Sequence, residues 1–280
     1  MKSTTVTLST FILSLILSTT LVSQSTVSAA DIIAMIDDGR DVNISNATIT
    51  GKLDFTKLAN REIDTKGKWA KQKNYRSHVR VDVQFDNCVF EGKVLGYQNP
   101  NSKKWNMGRN NKPIYNADFH NSVSFTNCTM EEKVNFKYSS FDSNVSFKGS
   151  TFKRGAGFKY SDFDQAPDFE GITVNGEAEF KYTTLPEGGS FSNAKFKGVA
   201  TFKYTKIGDL IAFDQVIFRK KADFKYIKFP EGVDMANTKF KGEADFKYAV
   251  FQSPSDFTNT DFGSKSTFKN ARLDGKKWRG

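Results

Sequence analysis

Residues 222–251 read ADFKYIKFPEGVDMANTKFKGEADFKYAVF, with the tripeptide Phe-Lys-Tyr beginning at Phe224 and again at Phe246. Such a return after 22 residues belongs to a longer pattern. From Ile114 to Leu273 the large apolar residues follow one another at gaps of alternately five and six, as in Phe136, Phe141, Phe147, Phe152, Phe158 and Phe163. The unit is therefore 11 residues, and the repeat decides the fold before any local propensity is consulted. An 11-residue period also suits a right-handed coiled coil, but that needs apolar residues three and four apart along one stripe. Steps of five and six scatter them around a helix. The abundance of Phe, Thr, Gly and Lys over Leu and Ala points instead to short strands and turns.

The residue two before each large one is small or β-branched, as in Val134, Ser139, Val145, Ser150, Ala156, Ala178, Ala200, Ala222 and Ala244. Alternate residues of a strand face the same way, so both sets point inward, and each step of five or six is one short side of a coil. Phe-Lys-Tyr begins at Phe136, Phe158, Phe180, Phe202, Phe224 and Phe246, always 22 apart, while the intervening 11-residue positions carry other tripeptides such as Phe-Ser-Asn at Phe191. Identical outward residues stack if four sides, 22 residues, close one turn. With 27 Phe and only six Pro among 280 residues, the chain is neither disordered nor collagen-like.

The motif of a small residue, a polar one, then Phe or Leu, seen in ADF at 222, ADF at 244 and SDF at 255, resembles the pentapeptide-repeat family over about residues 114–273. The resemblance implies an all-β, right-handed, four-sided parallel β-helix. The sixth residue in alternate units, often in a Gly-containing turn such as KGEAD, is similar to a Phe-rich branch of that family. About seven regular coils and two irregular ones, each roughly 4.8 Å high, make a rod about 40 Å long. Rings fill its axis, so function is expected on the outside.

Residues 1–30 read as an export signal: one Lys, an apolar core from about Phe11 to Val22, and small residues suited to cleavage after Ala29 or Ala30. The core is shorter than the roughly 20 residues that cross a bilayer, and no second apolar segment follows, so no membrane span is expected in the mature chain. That places the protein outside the cell, on its surface or in a periplasm. Residues 31–113 form an N-terminal cap with irregular coils. Here DIIAMIDDGRD, 31–41, predicts a short capping helix, and two insertions, about 57–80 and 97–113, combine Lys and Arg with Tyr and with Trp69 and Trp105. The regular helix occupies 114–275, and 276–280 is a tail. The tail is too short to cap the last coil with a helix, which predicts a partly open end available for pairing with a second copy as a homodimer.

Chemistry is sparse. The only histidines, His78 and His120, fall in no metal-ligand spacing, and there is no serine elbow, phosphate loop or paired-cysteine motif, so neither metal nor cofactor is expected. Cys88 and Cys128 both sit at the inward small position, and their separation places them in one column on neighbouring coils, as a disulfide or as two buried thiols. The sharpest feature is an outward ladder of Lys137, Lys159, Lys181, Lys203, Lys225 and Lys247 beside Tyr138, Tyr160, Tyr182, Tyr204, Tyr226 and Tyr248. Aromatic faces stack on sugars and regularly spaced ammonium groups match an anionic chain, while copying of a repeat yields such ladders without any ligand. Glu179, Asp223 and Asp245, two residues before Lys181, Lys225 and Lys247, are placed to pair with them.

The formal charge of +10 suits anionic polymers or head groups. It argues, with the export signal, against the DNA mimicry of acidic cytoplasmic members of the family, and a nucleic-acid partner is not expected. The leading expectation is a non-enzymatic exported scaffold that presents a repetitive surface to a protein or an anionic cell-envelope polymer. An acidic-polysaccharide binder working through the Lys and Tyr columns is second, and a carbohydrate-active enzyme third.

Overall fold

The structure, a computed structural model, describes residues 25–63, 73–100 and 112–280. Most of the expected leader and the tips of both insertions, with Trp69 and Trp105, lie outside the described residues.

Strands of two to six residues wind into a right-handed, four-sided parallel β-helix. In chain order a coil passes face one (for example Thr151–Phe152), face two (Gly155–Gly157), face three (Asp162–Phe163) and face four, represented one coil earlier by Val145–Ser146. Face one stacks nine strands, face two eight and face three twelve. Face four consists of a four-strand and a three-strand group, joined through bridges from Ser146 to Asp168 and from Asp168 to Ser190. The register is the 22-residue step read from the repeat: Thr151 lies beside Thr173, Thr173 beside Lys195, Lys195 beside Ile217 and Ile217 beside Lys239.

Each inward ring lies on the ring one coil away. Phe136, Phe158, Phe180, Phe202, Phe224 and Phe246 form one column, with successive planes 3° to 21° apart and centroids 5.0 to 5.7 Å apart. A second column, including Phe169 and Phe191, meets the first edge-on: Phe180 is 5.2 Å from Phe169 at 82° and 5.0 Å from Phe191 at 86°. Rings are thus offset-stacked along the axis and T-shaped across it, the two arrangements that ring quadrupoles favour.

The small inward positions do more than leave room. Ser161, Thr183 and Thr205 each donate a hydroxyl hydrogen bond to the Phe carbonyl 25 residues back, at Phe136 (2.7 Å), Phe158 (2.9 Å) and Phe180 (2.7 Å). Ser139 occupies the same column at its N-terminal end, and its buried hydroxyl has no partner among the described residues.

Both ends are covered. Helix α1, Ala29–Asp37, buries Ile32 and Ile36 on the first coil, and the Ser28 hydroxyl accepts a bond from the Ala30 amide at its N-terminus. Gly39, at φ 71°, follows its end. The strand Ser25–Ser28 pairs with Ala47–Thr50, so folded structure begins inside the stretch 1–30 assigned to the leader. The physical reason is edge satisfaction: those four residues occupy the open side of the first face-one strand. A cut after Ala29 or Ala30 would remove them.

At the other end the expected free tail is part of the fold. Arg272–Leu273 and Lys276–Lys277 form an antiparallel hairpin, and Trp278 lays its indole 4.6 Å from the Phe251 and Phe257 centroids and 4.9 Å from that of Phe268. A hairpin and one indole cover the last rings, so the last coil is less open than the sequence suggests.

Replacing Phe180, fully buried between four rings, by Ala is expected to cost about 3–5 kcal/mol in denaturant unfolding. The hydroxyl column gives a paired expectation of opposite sign. Thr183→Val lowers stability by about 1 kcal/mol through loss of the bond to Phe158, whereas Ser139→Ala, which removes an orphaned polar atom, raises it by about 1 kcal/mol.

Candidate functional site

The corner between faces two and three carries the ladder. Phe-Lys-Tyr-Ser/Thr is a four-residue turn closed by a bond from the fourth amide to the first carbonyl, as from Ser139 to Phe136 (3.1 Å) and Thr183 to Phe180 (3.2 Å). The third residue takes positive φ, which makes the turn type II and ordinarily calls for Gly or Asn. At the corner between faces four and one, Asn127, Gly149, Gly171, Asn193, Asn237 and Asn259 obey that rule at φ 54° to 68°, and Gln215, at φ 58°, departs from it. At the ladder corner the same position holds Tyr138, Tyr160, Tyr182, Tyr204, Tyr226 and Tyr248, at φ 58° to 61°. A side chain there costs roughly 1–2 kcal/mol per residue. Asn270 takes over at φ 62° where the tyrosine series ends.

Ring stacking offsets that strain. Tyr138 to Tyr248 stand in one pile, with successive centroids 4.8 to 4.9 Å apart and planes within 2° to 11°. Buried Tyr97 covers the N-terminal end of the pile at 5.6 Å from Tyr138. Interior ring faces are therefore taken by neighbouring tyrosines. The pile leaves ring edges for a ligand, and Tyr138, Tyr226 and Tyr248 are its most exposed members.

The six lysines divide into two groups. Lys137, Lys159, Lys181 and Lys203 hold their ammonium groups 4.7 to 5.1 Å from the ring of the tyrosine that follows each. Burial, and then the charge of Lys159, pushes the pKa of Lys137 down. Lys225 instead lies 3.4 Å from Asp223 and 3.5 Å from Asp245, and Lys247 is 3.8 Å from Asp245. Burial alone would lower the Lys225 pKa, but the two carboxylate charges and their hydrogen bonds outweigh it and raise the value. The expected acid pairing thus holds for Lys225 and Lys247, while Lys181 sits over Tyr182. Beside the pile, Tyr182, Tyr204 and Tyr226 form one wall of a shallow groove whose other side is Lys206, Ile207, Lys228 and Pro230.

Both insertions leave from face three as antiparallel excursions. Glu62–Ile63 pairs with Asn74–Val79, and Tyr97–Gln98 pairs with Ile114–Phe119. At their base Arg61 packs over Tyr75 at 5.5 Å and Tyr115 at 5.1 Å, and those two rings stack at 5.6 Å. The same strands unite the two histidines, which the sequence reading kept apart. His78 Nδ1 is 2.9 Å from His120 Nε2, His78 Nε2 is 3.0 Å from Glu62 Oε1, and His120 Nδ1 is 2.6 Å from Asp142 Oδ2. The signal was available: Cys88 and Cys128, 40 residues apart, already revealed an 18-residue insertion in that coil, and the same offset brings residue 78 beside residue 118.

Cys88 and Cys128 are free, buried thiols in one column. Burial raises both pKa values, that of Cys128 to about 12.

With this geometry in view, the comparisons are concordant. The family model for pentapeptide repeats matches residues 114–162, 158–206 and 236–275 in nine copies. The chain belongs to the pentapeptide-repeat family. No curated protein and no solved structure matched it. The interval between the matched segments continues the helix without a break, through Ile211–Ala212, Ile217–Phe218 and Ala222–Asp223. Among the described residues no helix is long and apolar enough to cross a membrane.

Thiolate is the reactive form, so both cysteines are expected to resist alkylation at pH 8 in the native protein. Two thiols per chain should be labelled once it is unfolded without reductant. A count of zero after unfolding would mean a disulfide.

Proposed function

We propose that this protein is a non-enzymatic, exported scaffold whose tyrosine–lysine corner binds an anionic component of the cell envelope. The observation that carries the reading is the backbone of the ladder. Six successive tyrosines occupy a left-handed turn position at which the opposite corner places Asn or Gly in every coil but that of Gln215. Departure from the locally favoured residue, repeated coil after coil, is what a functional surface looks like when local preference and use conflict. The charge pattern agrees: Lys137, Lys159, Lys181 and Lys203 lie over rings and point their charge along one edge, whereas Lys225 and Lys247 are held by acids. Contacts along such an edge are individually weak and add through multivalency.

A second reading makes the ligand an acidic polysaccharide. The groove beside Tyr182, Tyr204 and Tyr226 favours it, since it sets apolar walls next to Lys206 and Lys228 and suits a ring-bearing chain with carboxylates. Such a chain would meet tyrosine edges and hydroxyls.

Co-sedimentation of the purified protein with isolated cell envelopes at low and high salt tests the proposal. Wild type is expected to sediment at low salt and to release at high salt. Replacing Lys159, Lys181 and Lys203 by Glu should cut binding at least tenfold, and Tyr182→Asn with Tyr204→Asn should weaken it while changing stability by less than about 1 kcal/mol, because relief of the turn offsets lost stacking. Undiminished sedimentation of the lysine variant would contradict the proposal. Retention of selected acidic glycans on an array identifies the polysaccharide reading, and a blank array counts against it. Amino-terminal sequencing of protein recovered outside the cell tests export.

A further inference from the structure

We propose that the protein associates side by side with further copies of itself, the basic edge of one rod lying along the acidic edge of the next. Two corners that the tyrosine ladder leaves unused carry files of opposite charge. Between faces one and two, Lys197 follows the strand Lys195–Phe196, Arg219 follows Ile217–Phe218 and Lys241 follows Lys239–Phe240. Lys195 and Lys239 add their charge from face one itself. Between faces three and four, Asp164, Glu187, Asp209 and Glu231 supply one acid in each of four successive coils, after the strands Asp162–Phe163, Thr184–Leu185, Lys206–Ile207 and Lys228–Phe229. On a four-sided rod these two corners are diagonally opposite.

Neither file is neutralised within the chain. Lys197, Arg219 and Lys241 are exposed, as are the four acids, and among the described residues none of them takes part in an ion pair. Lys221 and Glu243, at the basic corner, do pair at 2.6 Å, so that corner uses its one nearby acid and keeps a surplus of positive charge. Lys206 and Lys228, on face three, line the tyrosine groove. At both corners a glycine stands next to the charge, Gly198 beside Lys197 and Gly208 beside Asp209, and a Cβ at either would overlap the carbonyl oxygen of the coil before, at Gly176 and Pro186. Coils therefore meet backbone to backbone along both edges, and the two files repeat at one fixed spacing, about 4.8 Å per coil.

That shared spacing selects the partner. A foreign polyanion brings a charge repeat of its own, whereas a second copy meets the basic file with an acidic file of identical repeat. Ten residues, about half a coil, separate Glu187 from Lys197, Asp209 from Arg219 and Glu231 from Lys241. A neighbour displaced by that amount along the axis sets the three acids opposite the three cations. Each copy uses one edge for one neighbour and the diagonal edge for another, so the contact is heterologous and rods add in an open row. Exposed ion pairs are individually weak and are screened by salt, so the row forms through several pairs at once and dissolves at high ionic strength. In a row of parallel copies the corner between faces two and three points to one side, and the tyrosine ladders of all copies face the same way. The row does not depend on what the ladder binds.

Analytical ultracentrifugation of the full chain at about 0.01 M and about 1 M salt, where the Debye length is about 30 and about 3 Å, tests the proposal. At low salt the mean mass is expected to rise with protein concentration past that of a dimer, and at high salt to fall to that of one chain. A variant carrying Lys197→Glu, Arg219→Glu and Lys241→Glu has two acidic edges and should stay monomeric at low salt. One carrying Glu187→Lys, Asp209→Lys and Glu231→Lys has two basic edges and should do the same. An equal mixture of the two should associate again. Both variants keep a positive net charge, so overall attraction does not bring them together. All six side chains are exposed, and circular dichroism of both variants is expected to match wild type. A single-chain mass for wild type at every concentration, growth that stops at a dimer, undiminished association of either variant, or a mixture that stays monomeric would each overturn the proposal. Capture of poly-glutamate by the basic edge without self-association would assign that edge to a foreign polyanion and overturn it as well.

Discussion

The protein depends on a match between two spacings. Parallel strands lie about 4.8 Å apart, and phenyl rings stack comfortably at about 5 Å, so a chain that returns a Phe to the same column every 22 residues satisfies backbone and core together. Hydrogen bonds between coils and ring contacts along the axis reinforce each other at every step, as between Phe158 and Phe180. A core residue that departs from the column would forfeit one or the other. The hydroxyls of Ser161, Thr183 and Thr205 show the same economy, since the position that must be small to admit the neighbouring ring also ties one coil to the coil before it.

This constraint pushes recognition outward and fixes its geometry. Whatever the corners present is presented at coil spacing, in straight files along the rod. The tyrosine file shows both the advantage and the limit. Stacking makes a left-handed tyrosine tolerable and the file rigid, yet it consumes the ring faces that a free tyrosine offers. What remains for a partner is a line of hydroxyls and ring edges, with ammonium groups beside the N-terminal four rings and neutralised ones beside the last two. The surface is therefore polar in both senses, chemically and along its axis.

The repeat was legible because its period is exact in the chain: five and six, four sides, 22 residues, and inward partners two positions apart all follow from Phe and small-residue spacing. Legibility fell wherever the period was interrupted. His78 and His120 share no regular spacing because an insertion stands between them, although the spacing of Cys88 and Cys128 across the same insertion carries its offset. The C-terminal closure was missed for a different reason. A single indole, Trp278, covers the last rings through a two-residue hairpin, a device with no periodic signature. The identity of the αL residue was visible as a repeated Tyr, but the conformation was not, because nothing in the tripeptide Phe-Lys-Tyr asks for positive φ.

The most direct test of the square coil is one distance. Thr129 and Lys239 lie in the same outward column of face one, linked through Thr151, Thr173, Lys195 and Ile217. Nitroxide labels at these two positions should give a dipolar distance near 24 Å, five coil steps of about 4.8 Å, broadened only by the label arms. A distance near twice that would mean that 11 residues close a coil, and one beyond about 100 Å would mean an extended helix at 1.5 Å per residue; either contradicts the account.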